Sequence, residues 1–171
     1  MSTTNGKTPT VTPELLQSLP KTDLHCHLDG SMRLGTILQL ADRQRVKLPA
    51  DDTAGLAKAI HMGERCKDLV EYLKAFDITC SVLQTEDALE RAAYELAEDA
   101  ARENVWHLEV RYAPILHTRR GLSLARINDA VIAGLKRAGR QYDITTGVIL
   151  CGIRNMDPRD SHRLAELAVA Y

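Results

Sequence analysis

Lys21-Thr-Asp-Leu-His-Cys-His-Leu-Asp-Gly30 is the stretch whose reading decides the fold. It reads as the end of a β-strand, on which successive side chains point to opposite faces. His25 and His27 then share a face with Asp23 and Asp29, while Leu24, Cys26 and Leu28 point the other way. A strand in a doubly covered parallel sheet is close to wholly apolar, so four polar residues in register ask for a reason beyond packing. A divalent metal supplies one. An exposed or hydrogen-bonded histidine couple has the same His-x-His spacing, and the setting is what favours the metal. Asp29-Gly30 forms a turn and Ser31 can cap an amphipathic helix, and ligands bind at that strand-to-helix corner in α/β folds. Zinc suits imidazole, and a catalytic zinc takes three or so protein ligands plus a water, so two histidines are half a site.

Outward from this strand the chain repeats one order. Leu34, Ile37, Leu38 and Ala41 recur at helical spacing up to the loop around Pro49, and a long insertion follows. Residues 64–83 carry Leu69, Val70, Leu73 and Phe76 on one side of a helix, and Thr85 reads as the N-cap of another, built on Leu89, Ala92, Ala93, Leu96 and Ala100. The second strand runs from Trp106 to Ala113, with Trp106, Leu108, Val110 and Tyr112 facing away from His107, Glu109, Arg111 and Ala113, and it stops at Pro114. Ser123 caps a helix carrying Leu124, Ile127, Val131 and Leu135 inward. A third strand, Ile144 to Ile153, is almost wholly apolar, and a last helix begins near Asp160 and runs to Tyr171. Strand and helix in alternation mean a parallel α/β sheet.

Pro20-Lys-Thr-Asp-Leu-His-Cys-His-Leu-Asp-Gly-Ser31 resembles the first-strand signature of the adenosine deaminase family, metal-dependent purine deaminases on a TIM-type barrel. Leu48-Pro-Ala-Asp51, Asp68-Leu-Val-Glu-Tyr-Leu-Lys-Ala-Phe-Asp77, Ala93-Tyr-Glu-Leu-Ala97, Leu108-Glu-Val-Arg-Tyr-Ala-Pro114 and Ile149-Leu-Cys-Gly-Ile-Arg154 extend the resemblance in family order. Only the first twelve or so residues fall outside it. The resemblance implies a (β/α)8 TIM barrel of which this chain supplies about the first three βα units. A barrel needs eight strands and about 250 residues. Residues 1–12 are therefore expected to be a flexible tail, and 13–171 the N-terminal portion of a deaminase domain incomplete at its C-terminus. Three parallel strands alone leave an open apolar edge. The chain by itself is expected to fold poorly, aggregate, associate with itself through that edge, or depend on a complementing C-terminal half.

The chemistry that the resemblance implies is zinc-dependent hydrolytic deamination of adenosine or deoxyadenosine to inosine or deoxyinosine with release of ammonia, a purine salvage reaction. By the same resemblance His25 and His27 are the first two zinc ligands, one Zn2+ per complete site. His27 and Asp29 contact substrate, Asp29 at the ribose of a purine nucleoside, and Gly30 allows the tight turn beside it. The remaining ligands and the proton-donating glutamate are expected beyond Tyr171, so no catalytic acid or base is assigned within the chain. Related adenine deaminases tend to carry Glu where Asp29 stands, and the shorter acid favours a nucleoside over free adenine. Leu69, Tyr72 and Phe76 match a helix at the mouth of the purine pocket, and their spacing equally fits a buried helical stripe. Glu109 and Arg111 match a polar pair that can bridge inside the barrel, whether orienting the site or as bystanders. His107, on the polar face of the second strand, can approach the barrel interior, whereas His61, His117 and His162 read as loop or helix-surface residues.

A formal net charge of −1 with dispersed basic residues, Arg119-Arg120 being the nearest thing to a patch, argues against nucleic-acid binding. No run approaches the eighteen or so apolar residues that span a bilayer, and the N-terminus lacks the apolar core of a signal peptide, so a cytoplasmic enzyme without membrane contact is expected. Cys26, Cys66, Cys80 and Cys151 show no paired spacing and read as reduced thiols. Two alternatives stand beside the main reading: a deaminase of adenine or another modified purine, and a non-catalytic truncated protein that binds metal or a partner.

Overall fold

The structure, a computed structural model, describes residues 10–60 and 69–171, the side chains of 69–72 excepted. Thr12 accepts from the amide of Leu15 and Pro13 follows it, a cap-and-proline start that opens α1 (Pro13–Ser18). The chain continues through β1 (Lys21–His27), α2 (Leu34–Gln44), α3 (Thr53–Ile60), α4 (Leu69–Val82) and α5 (Glu86–Arg102). It then forms β2 (Val105–Tyr112), a 3₁₀ turn at Pro114–His117, α6 (Leu124–Gly139), β3 (Thr145–Leu150) and α7 (Pro158–Val169). The three strands are parallel and lie in chain order. That is the expected run of βα units.

One face of the sheet carries the core. Leu28, Leu108, Val110 and Tyr112 pack under Ile37 and Leu40 of α2, Leu89, Ala93 and Leu96 of α5, and Ile127, Val131 and Leu135 of α6. The α5–α6 contact is close because position 134 is glycine: a Cβ there would lie 2.2 Å from the Glu90 carbonyl oxygen. Thr85 and Ser123 cap α5 and α6 as their positions predict, accepting from Ala88 and Arg126. The opposite face of the sheet carries His107, Glu109 and Arg111. Among the described residues no second layer covers it.

Several expectations change. Ser31 is not the cap of α2; the turn runs on to Arg33, which takes the N-cap position without a side-chain cap bond and is instead anchored to α5. Its guanidinium bonds Asp99 at 2.8 and 2.5 Å and Glu98 at 2.6 Å. Trp106 lies outside the core, 55% exposed at the start of β2, with its indole N–H on Asn104 Oδ1. The third strand is shorter than its apolar run, and Ile149 is 38% exposed because only one face is packed. The insertion after α2 contains α3, opened by Asp52 Oδ1 accepting from Gly55. The tail expected over 1–12 falls outside the described residues up to position 9, as do Cys66 and His61.

Candidate active site

β1 delivers its polar residues through a bulge. Asp23 sits opposite Leu108 and Cys26 opposite Val110, so three residues of β1 span two of β2. Asp23 Oδ1 accepts the His25 amide at 3.0 Å, which closes the irregularity. Asp23 thereby falls in register with the core-facing Leu108 and leaves the histidine face, and Leu24 becomes 62% exposed instead of turning into the core. The expected four-residue polar face reduces to His25, His27 and, at the corner, Asp29. Cys26, in register with Val110, does point away from the histidines and packs against the core.

The two imidazoles stand on one side, with ring centroids 5.5 Å apart. The Leu28 amide donates to the Arg111 carbonyl, prolonging the pairing of β1 with β2 just past His27 and setting the turn that follows. Leu28 is 1% exposed, and Asp29 goes down with it to 5%. Its Oδ1 lies 3.7 Å from His27 Nδ1 and has no hydrogen-bond partner, while Oδ2 accepts from the Cys80 thiol at 3.8 Å. Burial raises the Asp29 carboxyl above its ordinary range, an effect partly offset by His27. Phe76 meets the His27 ring edge-on at 6.1 Å. A Cβ at Gly30 would stand 3.5 Å from the Phe76 ring, an ordinary contact, so the pairing does not itself require glycine there.

Asp29, Met32, Leu34, Ile37 and Phe76 are among the residues around a cavity of about 470 Å³ at this corner. Its walls are mostly apolar and Asp29 Oδ1 is without a partner beside it, so the cavity suits a largely apolar small molecule carrying a hydrogen-bond donor. Of the predicted pocket helix, Phe76 is in place, and the Leu69 and Tyr72 side chains lie outside those described.

The second polar cluster lies along β2. Glu109 and Arg111 do not pair with each other: Glu109 Oε1 accepts from His107 Nε2 at 2.8 Å, and His107 Nδ1 meets Thr145 Oγ1 at 2.8 Å. Gly147 makes room for Glu109, whose Oε2 would be 2.5 Å from a Cβ. Arg111 donates instead to His25 Nε2 at 2.7 Å and to Cys151 Sγ at 3.3 Å. His162 is exposed beside Glu166, as expected. His117 is not a surface residue: it is fully buried, and burial pushes its imidazole down to about 4. Cys80 carried no functional expectation. Its place four residues after Phe76, on the same side of α4, is the signal that could have found it.

The donors fit a zinc ion in type and side. Two imidazoles face the same way at the sheet's C-terminal end, and a buried carboxylate with an unpartnered oxygen stands beside them. Among the described residues no three His, Cys, Asp or Glu side chains converge closely enough to hold a metal by themselves. Arg111 is the cation at His25 in this arrangement, and a metal at Nε2 requires the guanidinium to move aside.

The chain resembles a probable adenosine deaminase of Dictyostelium discoideum, 46% identical over 161 residues, covering 94% of this chain and 21% of that protein. It is 52% identical to an adenosine deaminase of Vibrio vulnificus over 142 residues, 83% of this chain and 43% of that one. Among solved structures, an adenine deaminase from Arthrobacter aurescens superposes with a TM-score of 0.78 at 26% identity, over 88% of this chain and 45% of that chain. The Arabidopsis N6-mAMP deaminase superposes with a TM-score of 0.76 at 31% identity, over 92% and 48%. An amidohydrolase from Burkhoderia ambifaria with bound Zn gives 0.78 at 27%, over 95% and 44%. Arabidopsis ADAL, similar at 30%, was solved with GMP and with IMP. The chain thus spans less than half the length of these proteins, and its three-stranded sheet is the corresponding part of a TIM barrel. The adenosine deaminase family is matched over residues 20–171, and to that family this chain belongs.

Proposed function

We propose that the protein carrying this chain is a zinc-dependent hydrolase that deaminates adenosine and deoxyadenosine, and that residues 13–171 supply the first part of its active site. The observation that carries the reading is the corner after β1, where two imidazoles face one way beside an apolar cavity containing the unpartnered Oδ1 of Asp29. The adenosine deaminases of Dictyostelium and Vibrio, at 46% and 52% identity, support it, as does the Zn in the Burkhoderia amidohydrolase.

His25 and His27 would hold the zinc. Bound in such a site, zinc supplies a water whose pKa falls to about 7, against 15.7 in bulk. The work of this chain is then recognition. Met32, Leu34, Ile37 and Phe76 exclude water from the purine and press on its faces. Asp29 accepts a ribose hydroxyl at Oδ1, and the free base has no group to offer it. The low polarity around Asp29 strengthens that bond and makes its loss costly. The remaining metal ligands and the group that protonates the purine ring lie outside these residues in this reading.

Zinc content and turnover of adenosine, deoxyadenosine and adenine, measured on one preparation of the native full-length protein, test the proposal. About one zinc per site with both nucleosides preferred over adenine is the expected result. Adenine preferred over adenosine would move the assignment to the free-base deaminases. A protein that binds zinc and turns over no purine would leave only the non-catalytic reading.

A further inference from the structure

We propose that Cys80 is a positioning residue for Asp29: its thiol donates to Oδ2 and holds the carboxylate so that Oδ1 is the oxygen offered to a ligand hydroxyl. The inference rests on the proposed nucleoside site and deepens it. Cys80 and Asp29 are 3% and 5% exposed, and their Sγ–Oδ2 separation is 3.8 Å, within the reach of an S–H donor. Oδ1 has no partner and Asp29 borders the cavity. A carboxylate with one oxygen engaged cannot exchange its two oxygens by rotation about the terminal bond without breaking that contact.

The thiol is itself held in place. The Cys80 carbonyl accepts from Gln84 Nε2 at 2.7 Å, and the same amide reaches the Leu116 carbonyl at 3.0 Å, while Gln84 Oε1 accepts the Arg119 amide at 3.0 Å. Gln84 is 3% exposed. The end of α4 is thereby tied to the segment that follows β2, and the wall behind Asp29 is fixed by backbone groups of both. Burial, with the Asp29 charge beside it, pushes the Cys80 thiol up to about 12, so it stays protonated and able to donate.

The experiment uses the native full-length protein with Cys80→Ala and Cys80→Ser, each alone and combined with Asp29→Ala. Cys80→Ala is expected to raise KM for adenosine about tenfold with kcat within about twofold, the signature of lost binding. Cys80→Ser, which keeps a donor, restores most of it. In the Asp29→Ala background the Cys80→Ala step is expected to have no further effect. Equal effects in both backgrounds overturn the proposal, because a residue acting only through packing needs no carboxylate. Infrared spectroscopy of the resting protein gives a reading without substrate. The S–H stretch that disappears in Cys80→Ser is expected to move to higher wavenumber in Asp29→Ala, and an unmoved band overturns the contact. If the parent protein does not deaminate adenosine, the nucleoside reading fails on that result alone, and the infrared band still decides whether the thiol holds the carboxylate.

Discussion

The rings of His25 and His27 stand 5.5 Å apart, tilted by 40°, on the same face of β1, whose bulge has turned Asp23 away. Of the four polar side chains expected on that face, the two imidazoles and Asp29 at the corner remain. Replacing either histidine with alanine leaves one imidazole, and zinc affinity of the full-length protein is expected to fall by at least about 100-fold, more than the loss of an outer hydrogen bond to a ligand costs. Competition with a zinc-binding dye measures it. Unchanged affinity in both variants would remove this corner from the metal site.

Asp29→Asn keeps the shape of the side chain and weakens its acceptor. If Oδ1 takes a ribose hydroxyl, the adenosine-to-adenine ratio of kcat/KM falls by roughly 10- to 100-fold, the range of a hydrogen bond to a charged group. Comparing the two substrates on parent and variant decides it, and an unchanged ratio places the sugar elsewhere.

His117 makes stability depend on pH. Its folded-state value is about 4 against an ordinary 6.5, because burial strips the charged ring of its hydration. The unfolded chain therefore binds the proton more readily between those values. Its contribution to stability is complete above pH 6.5 and is lost as pH falls toward 4, by about 3 kcal/mol at the limit. Urea unfolding at pH 7.5 and pH 4.5 should show a smaller drop for His117→Leu than for the parent. Equal drops would mean that the imidazole titrates normally in the folded state.

Gly134→Ala is expected to destabilise the fold by about 1–3 kcal/mol, since its Cβ would meet the backbone of α5 at 2.2 Å and backbone has little room to retreat. Thermal unfolding reads this directly. On an exposed helix the same change would stabilise.

Arg33 ties the loop after the candidate site to α5 through Asp99 and Glu98. Its side chain is 34% exposed, so solvent screening reduces the gain, and Arg33→Ala is expected to cost about 1–2 kcal/mol. Arg33→Lys recovers only part, because an ammonium lacks the planar fork that spans both oxygens of Asp99. Full recovery by lysine would show that charge alone matters.

Periodicity, one apolar run and the cap residues themselves located the three strands, the long helices and the caps at Thr85 and Ser123, because each is a local choice of backbone and side chain. The His25–His27 pair and the turn at Asp29 were equally legible, since the two-residue repeat of a strand and the chemistry of a turn need no distant partner. What escaped were the places where distant segments set the outcome. The β1 bulge that removes Asp23 from the histidine face depends on register with β2, and Trp106 and Ile149 are exposed because burial is decided by what lies opposite them. His117 reads as a loop residue until the 3₁₀ turn carries it under the core, and Cys80 lies 51 residues from the carboxylate it touches. Sequence determined the elements and the donor types; tertiary structure decided which donors meet, because contact between side chains far apart in the chain is created only when packing brings their elements together.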